Sequence, residues 1–115
     1  MMNNNNIVNT NMSGIPYINT TNVTVSDTSV NFALGYRQIY PVGFFAVRIA
    51  TAIPEGTTGT LPITLSLSGV TRSLTYFGGA SVTAADVTGT GILLVFNDKF
   101  NGILQLMQTA PAANV

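Results

Sequence analysis

The chain contains no cysteine, no histidine and no tryptophan, and its 115 residues include only four cations and four carboxylates. Each absence excludes something. Without Cys there is no disulfide framework and no thiolate zinc site. Without His, the usual metal ligand and the usual general base near neutral pH are gone. Arg37, Arg48, Arg72 and Lys99 are scattered and are balanced by Asp27, Glu55, Asp86 and Asp98. Four dispersed cations cannot form the basic stripe that nucleic-acid binding needs, because that affinity comes from many phosphate contacts. Long hydrophobic runs are lacking too. The longest, Val42 to Val47 and Gly91 to Phe96, fall far short of the roughly 18–20 apolar residues that a bilayer demands. No basic stretch precedes an apolar core at the N-terminus, as a signal peptide requires.

What remains is apolar or hydroxylated. Mean hydropathy is +0.39, and the polar residues are mostly Thr, Ser and Asn. That balance describes strands whose outer faces are hydroxyls and amides rather than Lys and Glu. Length gives one domain, large enough to bury a core without staples. Zero formal net charge weakens the repulsion that keeps soluble monomers apart.

Residues 1–22 form an Asn-rich zone with little periodicity, of a kind that does not nucleate structure alone. Ile7, Val8, Ile15, Tyr17 and Ile18 are dispersed through it. The zone reads either as a disordered leader or as an extended arm that uses these side chains as anchors on a neighbouring subunit. Residues 23–115 read as strands. Ile63, Leu65 and Leu67 alternate with Thr64, Ser66 and Ser68; Val30, Phe32 and Leu34 alternate with Asn31 and Ala33; Phe45, Val47 and Ile49 share a parity opposite Arg48. A period of two with one apolar face is a strand signature. Val23 with Val25 and Leu74 with Tyr76 repeat it more briefly. Ile92 to Phe96 is continuously apolar, as expected of a strand buried on both faces. Ile103 to Met107 pairs with it as a hairpin through a turn containing Asn101-Gly102.

Tyr40-Pro41-Val42-Gly43, Pro54 to Gly59 and Gly78-Gly79 punctuate the strands. Pro62 opens its strand, where a missing N–H is tolerated. Val82 to Val87 suits one short helical turn with Thr83 as N-cap and Asp86 at its third position. The expected fold is all-β: an antiparallel β-sandwich or small barrel of about seven to eight short strands, with an extended N-terminal arm. Its edge strands would lack the Lys gatekeepers that block edge pairing, and in an assembly subunit such an edge is a docking surface.

Chemistry is sparse. No two carboxylates share a local metal-binding motif, and no cofactor is implied. Ser and Thr are abundant but have no His and one Lys as potential bases. No carboxylate pair stands out as a glycosidase dyad. Gly56-Thr57-Thr58-Gly59-Thr60 lacks the Lys of a phosphate loop, and Asp98-Lys99 reads as a solvated turn pair. Asn11-Met12-Ser13, Asn19-Thr20-Thr21 and Asn22-Val23-Thr24 match the glycosylation pattern, as chance allows in so Asn- and Thr-rich a chain. Arg37, flanked by Tyr36 and Tyr40, has the composition of an interface hot spot. Tyr17, Tyr36, Tyr40 and Tyr76 are the residues from which a carbohydrate platform would be built.

The phrases Gly43-Phe44-Phe45-Ala46-Val47-Arg48-Ile49, Pro54-Glu55-Gly56-Thr57-Thr58, Leu61-Pro62-Ile63-Thr64-Leu65 and Gly91-Ile92-Leu93-Leu94-Val95-Phe96-Asn97-Asp98-Lys99 resemble small virion structural proteins of tailed bacteriophages, crAss-like phages in particular. The resemblance covers somewhat over half the chain and rests on strand and turn phrasing rather than an active-site signature. It implies a non-enzymatic auxiliary or decoration protein on the capsid surface, assembled in the host cytoplasm. Its partners would be the major capsid protein and other virion subunits. The alternative is a head-fibre or carbohydrate-binding module forming a homotrimer. Neither nucleic acid nor membrane is an expected partner. The expected contact residues are Ile7, Val8, Ile15, Tyr17 and Ile18 in the arm, with Tyr36, Arg37 and Tyr40 in the domain.

Overall fold

The structure, a computed structural model, describes residues 15–35 and 39–108. Seven strands form in the stretches of alternating polarity: β1 (Tyr17–Val25), β2 (Val30–Leu34), β3 (Gly43–Ile49), β4 (Ile63–Leu67), β5 (Val70–Thr75), β6 (Gly91–Asp98) and β7 (Ile103–Leu106). They close into a barrel in the order β1-β2-β4-β5-β7-β6-β3, with β3 returning to β1. Of the two architectures the composition suits, the barrel is the one formed.

Pairing is mixed rather than wholly antiparallel, which corrects that part of the expectation. The β1–β2, β4–β5, β3–β6 and β6–β7 pairs are antiparallel, whereas β1–β3, β2–β4 and β5–β7 are parallel. Only tight hairpins force antiparallel neighbours. Here β3 lies beside β1 rather than β2, β4 beside β2 rather than β3, and β7 beside β5 as well as β6, so same-direction strands become neighbours. Closure covers most strand edges, but residues 22–25 of β1 and 70–73 of β5 have a ladder partner on one side only, so the edge-docking route anticipated from the missing Lys residues is confined to these two stretches.

The predicted inward parity holds. Val30, Phe32 and Leu34, then Phe45, Val47 and Ile49, then Ile63, Leu65 and Leu67 are all buried, joined by Leu74, Val95, Leu104 and Leu106. Burial of side chains of this size contributes about 1.5–3 kcal/mol each before entropy is charged against it. Residues 80–87 close one end of the barrel. The predicted helical turn is there as a 3₁₀ turn, Ala84–Asp86, and the Asp86 carboxylate accepts hydrogen bonds from the Thr83 N–H and hydroxyl, both at 3.1 Å. Val82 and Ala84 drop into the core there. The N–H of Val82 donates to Leu74 and that of Ile63 to Val82.

Strand β1 is a corner. Tyr17 to Asn19 pair with β3, and the strand then turns to pair with β2 through Thr20 to Val25, with Thr21 bulged out of register. A bulge bends a strand in this way. Gly35 makes room for it: a Cβ there would collide with the Thr21 methyl, and the Gly35 N–H donates to the Asn19 carbonyl. The Gly35→Ala variant is expected to lose about 1–3 kcal/mol through overpacking at this corner, read from the urea midpoint. Because β1 starts at Tyr17, the boundary drawn at residue 22 falls inside the barrel. Residues 17–22 belong to the domain, since Ile18 and Thr20 fill its interior.

Candidate functional site

Closure around a single interior has a consequence for side chains of the opposite parity: they face out, whatever their chemistry. Around β2, β4 and β5 the outward residues are polar. Asn31 donates to the Thr64 hydroxyl at 2.8 Å and accepts from the Ser66 hydroxyl at 3.0 Å, and Thr71 and Ser73 stand in register beside them. Around β1, β3, β6 and β7 the outward residues are mostly apolar, with Asn19, Arg48, Asp98 and Gln105 among them. Register aligns Phe44 with Phe96, Ala46 with Tyr17 and Leu94, and Arg48 with Asn19 and Ile92. Met107 donates its N–H to the Leu94 carbonyl. The Phe44 and Phe96 rings meet edge to face with centroids 5.0 Å apart. Tyr17 is 65% exposed, Ile92 70% and Phe44 47%. Arg48 is the one charge in these rows, and its guanidinium reaches Asn19 at 3.4 Å.

This face corrects the reading of Ile92 to Phe96 as a strand buried on both sides: Val95 is fully buried, but Ile92, Leu94 and Phe96 are exposed. A contiguous patch of aromatic and aliphatic side chains on a soluble surface marks an interaction site, and rings of this kind dominate interface energetics.

The second feature lies at the end of the barrel opposite the 3₁₀ turn. Ile39, Tyr40, Val42, Leu67, Val70, Arg72, Asn97 and Lys99 line a cavity of about 240 Å³ between the β4–β5 and β6–β7 hairpins. Arg72 pairs with Leu65 in register and therefore shares its inward parity. Its guanidinium carbon lies 5.5 Å from the centre of the Tyr40 ring, and a Cβ on Gly102 would press on its Nη1. Tyr40 plugs the barrel: the ring tilts against Phe45 at 6.3 Å, and the hydroxyl donates toward the carbonyls of Leu65 and Val70 at 2.9 and 2.7 Å. Asn97 donates to the Pro41 carbonyl at 2.9 Å. Among the described residues, no three His, Cys, Asp or Glu side chains gather as a metal site.

The anticipated contact residues separate. Ile15 and Tyr17 are exposed beside the apolar face. Ile18, at 2% exposure, is core, because it pairs with Val47 on the inward parity. Tyr40, at 6%, is a plug rather than a surface ring. Ile7, Val8, Tyr36 and Arg37 lie outside the described residues. Sequence reasoning missed Phe44, Leu94, Phe96 and the Arg72–Lys99 grouping. The first three were signalled by apolar residues on both parities of β3 and β6; the last depends on pairing between distant strands.

Two buried phenols respond differently to loss of their hydroxyls. The Tyr40 hydroxyl is anchored on two carbonyls, whereas the Tyr76 hydroxyl is buried with only a weak interaction with the Asp86 carboxylate. Tyr40→Phe should cost about 1–2 kcal/mol, and Tyr76→Phe should be neutral or stabilising by up to about 1 kcal/mol. Burial pushes both phenols from 10.0 up to about 12. For Tyr40 the Arg72 charge pulls the other way, and for Tyr76 the hydrogen bond to the Asp86 carboxylate and then its charge add to the rise. The unfolded chain therefore sheds these protons first. Stability from this source is full below pH 10 and falls as pH rises through 10 toward 12. Urea titrations across that window should show the slope flatten in the double Phe variant.

No family model, curated protein or solved structure matches the chain.

Proposed function

We propose that this chain is a structural virion subunit, an auxiliary or decoration protein that binds the major capsid protein on a bacteriophage particle and catalyses no reaction. The observation that supports it most directly is the outward apolar face of β1, β3, β6 and β7. A small barrel with hydroxyls on one half and Tyr17, Phe44, Leu94 and Phe96 on the other has an obvious inner and outer side for a particle surface. The partner surface this face suits is apolar and nearly uncharged, since among the described residues its strands carry only Arg48 and, at the end of β6, Asp98 on the outward side. The attached protein would cement neighbouring capsomers, with the many copies on one particle adding their contacts through avidity. The resemblance of its strand and turn phrasing to small phage virion proteins points the same way.

Mass spectrometry of purified virions tests the reading. Hundreds of copies, scaling with the major capsid protein, are expected; absence from particles overturns it. A stable trimer in light scattering, with about a dozen copies per virion, would favour the head-fibre alternative. The arm can be tested separately by removing residues 1–14. Removal of residues 1–20 would take Ile18 and Thr20 out of the core and unfold the barrel, so loss of binding in that variant would say nothing about the arm.

A further inference from the structure

We infer that the cavity beside Tyr40 is an anion-binding mouth that takes a single carboxylate carried on a short apolar body. This assignment concerns the barrel end and stands independently of the virion reading. Barrel mouths are recurrent ligand sites. This one combines three features that point to a charged but largely greasy occupant.

First, Arg72 is an inward-parity cation without a counter-ion. Its Nε–H is buried with no acceptor, and among the described residues no carboxylate pairs with it. A half-buried guanidinium confined between the Tyr40 ring and the backbone of Gly102 is held in place, so an arriving carboxylate meets a preorganised fork. Second, Lys99, one of the four cations in the whole chain, lines the same cavity. Two of four cations therefore share one small space in a protein of zero net charge. Third, the rest of the wall is Ile39, Tyr40, Val42, Leu67, Val70 and Asn97; apart from Asn97, whose amide donates to Pro41 and whose Oδ1 is buried without a partner, it offers apolar contact area and few donors. A phosphate dianion would need more donors than one guanidinium and one ammonium to replace its hydration; a monoanion with an apolar tail matches both parts of the wall. A cavity of about 240 Å³ lies just below the usual range for drug-sized ligands, roughly 300–1,000 Å³, so the occupant is small.

Titration of the full-length ¹⁵N-labelled protein with hexanoate, hexan-1-ol and hexylammonium tests the assignment. Hexanoate should shift the amides of Val42, Val70 and Lys99 and the Arg72 Nε–H signal saturably. It should bind about tenfold more tightly than hexanol, the size of one partly exposed charge-assisted contact, and hexylammonium should bind more weakly than either. Arg72→Met, which keeps the stem and removes the charge, should bring hexanoate down to the hexanol level. Lys99→Gln, at an exposed position, should weaken it a few-fold without touching the core, and serves if the Met variant is unstable. A blocked acetyl-Ala-Glu-Ala-amide peptide separates the sources: tighter peptide binding assigns the mouth to an acidic side chain of a partner, and tighter hexanoate binding assigns it to a free acid. Equal affinity for hexanoate and hexanol, or no saturable shift at the mouth at tens of millimolar, overturns the assignment.

Discussion

Replacing Leu94 and Phe96 together with Asp will abolish attachment to the particle and leave the barrel folded. Both side chains point away from the core on the apolar face, Phe96 in the row that holds Phe44 and Leu94 in the row that holds Tyr17. Apolar hot-spot contacts at interfaces are worth about 2 kcal/mol or more each, roughly thirtyfold in affinity apiece. Burying two unpaired carboxylates would weaken attachment further. The cost to folding is smaller, because only cross-strand contacts of about 0.2–1 kcal/mol each are lost. Co-sedimentation with purified particles reads the first effect and a thermal melt the second. Full occupancy by the double variant would remove this face from consideration.

Phe44 and Phe45 should respond in opposite ways although they are neighbours in sequence. Phe45 is fully buried and is among the largest core side chains, in ring contact with the Tyr40 plug. Phe45→Ala should cost about 3–5 kcal/mol, a large share of the 5–15 kcal/mol typical of a domain, and should lower the urea midpoint accordingly. Phe44→Ala removes an exposed ring and should cost less than about 1 kcal/mol, but it should weaken particle association measurably. The pair tests the register of β3 directly: a slip of one residue would exchange the two outcomes.

The inward half of each strand was legible in the sequence because alternation has one physical meaning wherever one side is wet. Ile63, Leu65 and Leu67 could face only one way, as could Phe45, Val47 and Ile49. The 3₁₀ turn was legible for a similar reason, since Thr83 and Asp86 have the spacing at which a carboxylate reaches back to the cap. Continuous runs were ambiguous. Ile92 to Phe96 satisfies the pattern of a strand between two layers equally well as that of a strand in a single-layer barrel with an outer partner, and only closure decides between them. Ile18 was misplaced because an Asn-rich neighbourhood masked a two-residue period shared with Thr20. The mouth was illegible because Arg72, Asn97 and Tyr40 are brought together by pairing of strands far apart in the chain, which local spacing does not encode.

The placement of Tyr17 and Met107 carries a practical consequence. They stand on β1 and just beyond β7, in one row with Ala46 and Leu94 between them, and at the usual strand spacing that row is about 14 Å wide. The polypeptide thus enters and leaves the barrel along opposite margins of the same greasy face. A fluorescent protein or affinity tag spliced directly beside Tyr17 or Met107 would be tethered next to that face and would compete with whatever covers it. A label for imaging or display belongs instead in the Ser68-Gly69 turn, where both residues are exposed and both adopt positive φ.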